Sequence, residues 1–131
     1  MPAEKVPLVI MVDDDNDDLL LAREAFQESG LACDIITFED GLKLLEYLDG
    51  SPPPDMIVLD ISMPFMQGCQ VIDEIRNYPA VSKIPIAILT TSQRENIEAE
   101  CIEKAKCFFV KPVHFADWIN IAKDMIKECL G

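Results

Sequence analysis

The feature that most restricts the fold of this chain is an alternation. Five short apolar runs rich in strand-forming residues, at 8–12 (LVIMV), 34–38 (DIITF), 56–59 (MIVL), 85–89 (PIAIL) and 107–110 (CFFV), are separated by longer stretches with helical spacing. No run alternates apolar with polar residues, so each strand is expected to be covered on both faces, as parallel strands joined through helices are. The intervening segments carry apolar stripes at three- and four-residue steps: Leu19, Ala22 and Phe26; Leu42, Leu45 and Leu48; and Phe115, Trp118, Ile119, Ala122, Met125, Ile126 and Cys129. Breakers close the first three helices at Gly30, at Gly50 with the Ser51-Pro52-Pro53-Pro54 tract, and at Tyr78-Pro79. Right-handed crossovers between such units predict a doubly wound, five-stranded parallel α/β sheet, a (βα)5 three-layer sandwich, with its ligand site beyond the carboxyl ends of the strands.

Bulk properties narrow the function. At 131 residues the chain has the length of one domain, and its apolar runs fall well short of the roughly 20 residues of a membrane-spanning helix. The N-terminus, MPAEKVPLVIMVDDD, has no basic leader or cleavage pattern, so a cytoplasmic location is the default expectation. A formal net charge of −13 has the wrong sign for direct nucleic-acid binding through phosphates. The five cysteines, Cys33, Cys69, Cys101, Cys107 and Cys129, are scattered and never spaced C-x-x-C. That pattern argues against a disulfide framework and a zinc site, and most are expected as small core hydrophobes.

The chemistry gathers where the strands end. In VLDISMPFMQG (58–68) an apolar run stops on Asp60 and turns at once into Met63-Pro64. A carboxylate there is costly to bury without charged partners. The predicted topology supplies them: strand one ends in Asp13-Asp14, strand four in Thr90-Thr91 and strand five in Lys111-Pro112, all on the same sheet edge. Crowded carboxylates repel unless a cation joins them, and a hard divalent ion, Mg²⁺, suits an open oxygen cluster. Lys111 is placed to pair with Asp60, and Thr90 to donate a hydroxyl hydrogen bond. Asp15, Asn16 or Asp17 is expected to do no more than cap the first helix.

These residues resemble the receiver domain of two-component response regulators. The resemblance runs from about Leu8 to Cys129 and is carried by MVDDD, the D-x-x-M-P-x-x-x-G frame of DISMPFMQG, IPIAILTT and FFVKP. It implies a flavodoxin-like fold, with residues 1–131 forming a single receiver domain and no output domain. It also implies Asp60 as phosphoacceptor; Asp13, Asp14, Asp60 and the backbone carbonyl of Ser62 as Mg²⁺ ligands; Thr90 as switch hydroxyl; and Lys111 as the phosphoryl contact. Phe108 occupies the position of the family's switch aromatic but lacks the hydroxyl of the commoner tyrosine. Ser62 and Ser92 hold places that tune phosphoryl lifetime in the family, and the peptide bond before Pro112 is expected to be cis.

The expected function is a stand-alone phosphorylation switch, not an enzyme with turnover of an external substrate. Its expected partners are a sensor histidine kinase or phosphotransfer protein and a downstream protein target, with no nucleic acid or membrane partner and with homodimerisation left open. The segment before the fourth strand looks most like that of small receivers partnering phytochrome-type and other sensor kinases. A small phosphatase using Asp13 in its D-x-D as nucleophile is the alternative, though it leaves D-x-x-M-P-x-x-x-G unexplained. Ile121, off the apolar stripe of the last helix, is a candidate exposed contact.

Overall fold

The computed structural model describes residues 6–61, 68–91, 97 and 99–131. Its elements alternate as the apolar runs predict: β1 (Leu8–Val12), α1 (Asn16–Glu28), β2 (Asp34–Phe38), α2 (Gly41–Leu48), β3 (Met56–Leu59), α3 (Gly68–Asn77), β4 (Ile86–Thr90), α4 (Ala99–Glu103), β5 (Cys107–Val110) and α5 (Phe115–Leu130). All pairings are parallel and the strand order is β2-β1-β3-β4-β5. The chain winds outward from β1 in one direction and then reverses, so β1 and β3 flank the switch point at which open α/β sheets bind ligands.

Alternate strand residues feed two cores. Ile10, Val12, Ile57, Leu59, Ile86 and Ile88 pack with Leu44, Leu45 and Leu48 of α2, with Val71, Ile72 and Ile75 of α3, and with Cys101 of α4. On the opposite face Val9, Met11, Met56, Val58, Ala87 and Leu89 meet Leu19, Ala22, Ala25 and Phe26 of α1 and Trp118, Ala122 and Met125 of α5. Both faces of β1, β3 and β4 are thus dry, which is why these strands have no polar alternation.

Local signals set the element ends. Asp15 caps α1, its carboxylate accepting from the N–H groups of Asp17 and Asp18 at 2.9 and 3.2 Å. Asp40 caps α2 through Lys43 N–H at 2.8 Å, and each such cap contributes about 1 kcal/mol. Gly30 and Gly50 take φ values of 92° and 89°, left-handed positions that a side chain would strain as the chain leaves α1 and α2.

Three expectations need correction. Cys69 of α3 and Cys101 of α4 form a disulfide, with Cα atoms 5.4 Å apart. Their separation of 32 residues hides the pair from any spacing rule, because only the packing of α3 beside α4 brings them together. Ile121 is half-buried and packs into the α1–α5 core beside Ala22 and Trp118. The described peptide bonds are all trans, including the one before Pro112; the isomers at such a bond differ by only about 0.5–1 kcal/mol, so the local contacts decide.

Candidate functional site

The sheet ladder continues one residue past the strands and fixes the backbone of the site. Asp13 N–H donates to the Phe38 carbonyl at 3.1 Å, Asp60 N–H to the Val12 carbonyl at 3.0 Å, and Lys111 N–H to the Thr90 carbonyl at 2.8 Å. Asp13, Asp60 and Lys111 therefore leave the sheet at defined positions at the ends of β1, β3 and β5, with little freedom to drift apart.

Their side chains converge. The Lys111 ammonium lies 2.6 Å from Asp13 Oδ2, 2.7 Å from Asp18 Oδ2 and 3.0 Å from Asp60 Oδ2. Asp13 and Asp60 are buried, 6% and 5% exposed, whereas Asp14 faces solvent. Asp13, Asp14 and Asp60 each present a carboxylate oxygen, and the three oxygens lie within 4.8 Å of one another. Asp13 Oδ1 also accepts from Asp15 N–H at 2.9 Å, which orients the carboxylate and links it to the cap of α1.

Three carboxylates around one ammonium, with Asp14 close to two of them, leave the site short of positive charge, and the electrostatics register it. Burial pushes the Asp13 carboxyl up to about 7, against the hydrogen bonds from Lys111 and Asp15 N–H that favour its charged form; the nearby Asp60 adds to the rise. Burial acts against the charge of Lys111, but hydrogen bonds to Asp13, Asp18 and Asp60 outweigh it and hold the ammonium above its ordinary range. The donor set fits a hard divalent cation: all oxygen, anionic, and open to water on the Asp14 side.

Asp18 was missed in the sequence, where it reads as part of the acidic run starting α1. The available signal was its place in the first turn of α1, the helix that starts beside the sheet edge carrying Asp13. Thr90 is fully buried at the end of β4, and its register partner Val110 adjoins Lys111. Phe108 pairs with Ile88 and packs into the core on the α2–α3 side. Strand alternation puts Thr90 on that same face, since it follows Ile86 and Ile88 by steps of two. His114 is exposed at the start of α5 and makes no side-chain cap bond. Ser62, Met63, Pro64, Gln67 and Ser92 lie outside the described residues.

Comparison with known proteins gives a consistent picture. A family model described as the response regulator receiver domain matches residues 9–123. The response regulator Rcp1 of Synechocystis is 29% identical over 88% of this chain and 84% of its own. Among solved structures, the phosphorylated cyanobacterial phytochrome response regulator RcpA superposes with a TM-score of 0.86 at 25% identity, over 97% of this chain and 96% of that one. The Mn²⁺-bound form of Rcp1 gives a TM-score of 0.80 at 26% identity, over 92% of each chain.

Proposed function

This chain belongs to the response regulator receiver domain family, and from that premise we propose that it is a receiver whose Asp60 accepts a phosphoryl group from a histidine kinase or a phosphotransfer protein. The observation that carries the reading is the meeting of Asp60, Asp13 and Lys111 at hydrogen-bond distances, with the exposed Asp14 beside them. A solvent-open flank next to a buried, positioned carboxylate suits a group that must meet another protein's phosphoryl donor.

Asp60 is the nucleophile. One of its oxygens forms a bond to phosphorus as the bond from phosphorus to the donor breaks; the donor departs with that electron pair, and the product is an acyl phosphate. Asp13, Asp14 and Asp60 would hold Mg²⁺, with the Ser62 carbonyl as the family resemblance implies, and the bound ion would neutralise charge on the carboxylates and the incoming phosphoryl oxygens. Before transfer Lys111 keeps Asp13 and Asp60 side by side; afterwards it exchanges a carboxylate partner for a phosphoryl oxygen.

The new group brings nearly two negative charges and fresh acceptor oxygens. Thr90 donates its hydroxyl to one of them, and its shift toward the phosphoryl group opens space on the sheet face that it shares with Phe108. Phe108 moves into that space and alters the surface formed by α4 and β5, a shift between two packings that a downstream protein reads. The chain is thus a signalling switch in the cytoplasm, acting through protein contact. Its net charge of −13 opposes direct nucleic-acid binding, and among the described residues no helix is long and apolar enough to cross a membrane.

Intact mass after incubation with Mg²⁺ and a small acyl-phosphate donor tests the reading. One added phosphoryl group is expected on the native chain, and none on Asp60→Asn or in the presence of a chelator. Labelling that persists in Asp60→Asn would overturn it.

A further inference from the structure

The Cys69–Cys101 bridge has no part in phosphoryl chemistry, yet it joins two elements that leave the site. Cys69 stands in the first turn of α3, the helix that follows phosphoacceptor strand β3; Cys101 stands in α4, which follows the strand ending in Thr90. The covalent link therefore ties together the segments running out from Asp60 and from Thr90.

The element it holds is short, set against the core by Cys101 and by Ile97 and Ala105 on either side of it. α4 spans only Ala99–Glu103, far below the length at which a helix persists through its own hydrogen bonds, and Cys101 is its one buried side chain. Among the described residues its polar ties to α3 lie just past its end, where the Arg76 guanidinium donates to the Lys104 carbonyl at 2.6 Å and the Lys104 ammonium pairs with Asp73. With the bridge opened, α4 keeps a tether at Lys104 and loses the one at its centre, so it can pivot about the Arg76 contact.

The bridge is also accessible from one side. Cys69 is partly buried, whereas Cys101 is 4% exposed. Of the two, Cys69 is the more accessible to an incoming thiolate, with Cys101 as the leaving group. The other three cysteines are free thiols. Cys107 and Cys129 are close, with sulfurs 3.8 Å apart, but unbonded, so the chain joins one pair and leaves a neighbouring pair reduced.

We propose that Cys69 and Cys101 form a thiol–disulfide exchange site whose redox state clamps or releases α4 and so governs how readily the phosphorylated receiver repacks. The second half of this statement rests on the phosphoacceptor reading of Asp60. In the reducing direction a dithiol protein supplies both electrons. Its thiolate attacks Cys69 Sγ, the Cys69–Cys101 bond breaks and Cys101 departs as thiolate, taking up a proton. The reductant's second thiol then attacks the mixed disulfide, freeing Cys69 and leaving the reductant as a disulfide. In the oxidising direction a low-molecular-weight disulfide such as oxidised glutathione accepts the two electrons and is released as two thiols.

The test uses the full chain equilibrated in glutathione buffers from strongly reducing to strongly oxidising, then alkylated and weighed. Three reactive thiols are expected at the oxidising end and five at the reducing end, interconverting reversibly, with peptide mapping placing the bridge at Cys69 and Cys101. Hydrogen exchange without donor should show the α4 amides exchanging at least tenfold faster in the reduced chain. Cys69→Ser, and separately Cys101→Ala in case either variant is poorly folded, should behave as reduced in every buffer. With Mg²⁺ and an acyl-phosphate donor, the extra α4 exchange caused by labelling should be at least threefold larger in reduced than in oxidised chain, and insensitive to buffer in the variants. A bridge that never opens while the chain is folded, one that maps to Cys107 and Cys129, or equal α4 exchange in both states would overturn the proposal. So would a response to labelling that is the same in both redox states. Absence of label in both states would instead count against Asp60 as acceptor, with the thiol counts and donor-free exchange still deciding the switch.

Discussion

Lys111 is the residue on which the site turns. It is the cation shared by Asp13, Asp18 and Asp60, and its side chain is 6% exposed, so removing it leaves buried like charges facing one another. Lys111→Ala should therefore lower the metal-free stability by about 3 kcal/mol in urea titration, and millimolar Mg²⁺ should restore a large part of the loss. Asp13 makes the complementary prediction. Its folded carboxyl titrates near 7 while its unfolded one titrates near the ordinary 3.8, so between these values the folded chain holds a proton that the unfolded chain has released. Metal-free stability should fall as pH rises through that window, and Mg²⁺ affinity should rise with pH because the ion displaces the proton. Asp13→Asn should flatten both slopes, with chelator-treated protein compared at pH 5 and pH 8. Asp13, Asp14, Asp60 and Lys111 were legible as neighbours, and Thr90 as a strand end on the same edge, because a parallel sheet delivers its strand ends to one edge. Asp18 was not: at a helix start an acid serves the helix dipole as readily as a site, and only the reach of Lys111 distinguishes the roles.

At the scale of elements, the strands were the most legible part of the molecule. Four of the five apolar runs coincide with observed strands, and the fourth strand begins one residue late, after Pro85, whose carbonyl accepts from Ile57 N–H but which has no N–H to donate. The helix ends followed from Asp15, Gly30 and Gly50, whose roles are local and need no tertiary knowledge, whereas the cap at Asp40 was not read from the sequence. Contacts between distant elements were hidden for the opposite reason. The Cys69–Cys101 bridge and the burial of Ile121 beside α1 depend on how helices pack across the sheet, which no periodicity encodes. The β4–β5 pair carries the switch prediction. Phe108→Ala removes half-buried aromatic packing beside Ile88 and should cost about 2 kcal/mol. Asp60 should still be labelled at its usual rate, while the label's effect on α4 hydrogen exchange should be lost. Unchanged coupling would rule Phe108 out as the moving aromatic.

For the whole molecule, two opposing features set stability. An excess of acids, twenty-four against eleven basic residues, makes the fold repel itself at low salt, while the bridge closes a loop of 32 residues and restricts the unfolded chain. Loop closure of that length contributes about 3–4 kcal/mol, so reduction should lower the thermal midpoint by about 10 °C, and added salt should recover part of the loss. The central claim, however, is chemical: one sheet edge is built to hold a phosphoryl group on Asp60. The most direct test is borohydride reduction of donor-treated protein, followed by peptide mass mapping, since an acyl phosphate on an aspartate is cleaved to homoserine. We expect homoserine at position 60, formed only when Mg²⁺ is present. Homoserine at position 13, or phosphate-labelled protein with no homoserine at all, would contradict the assignment.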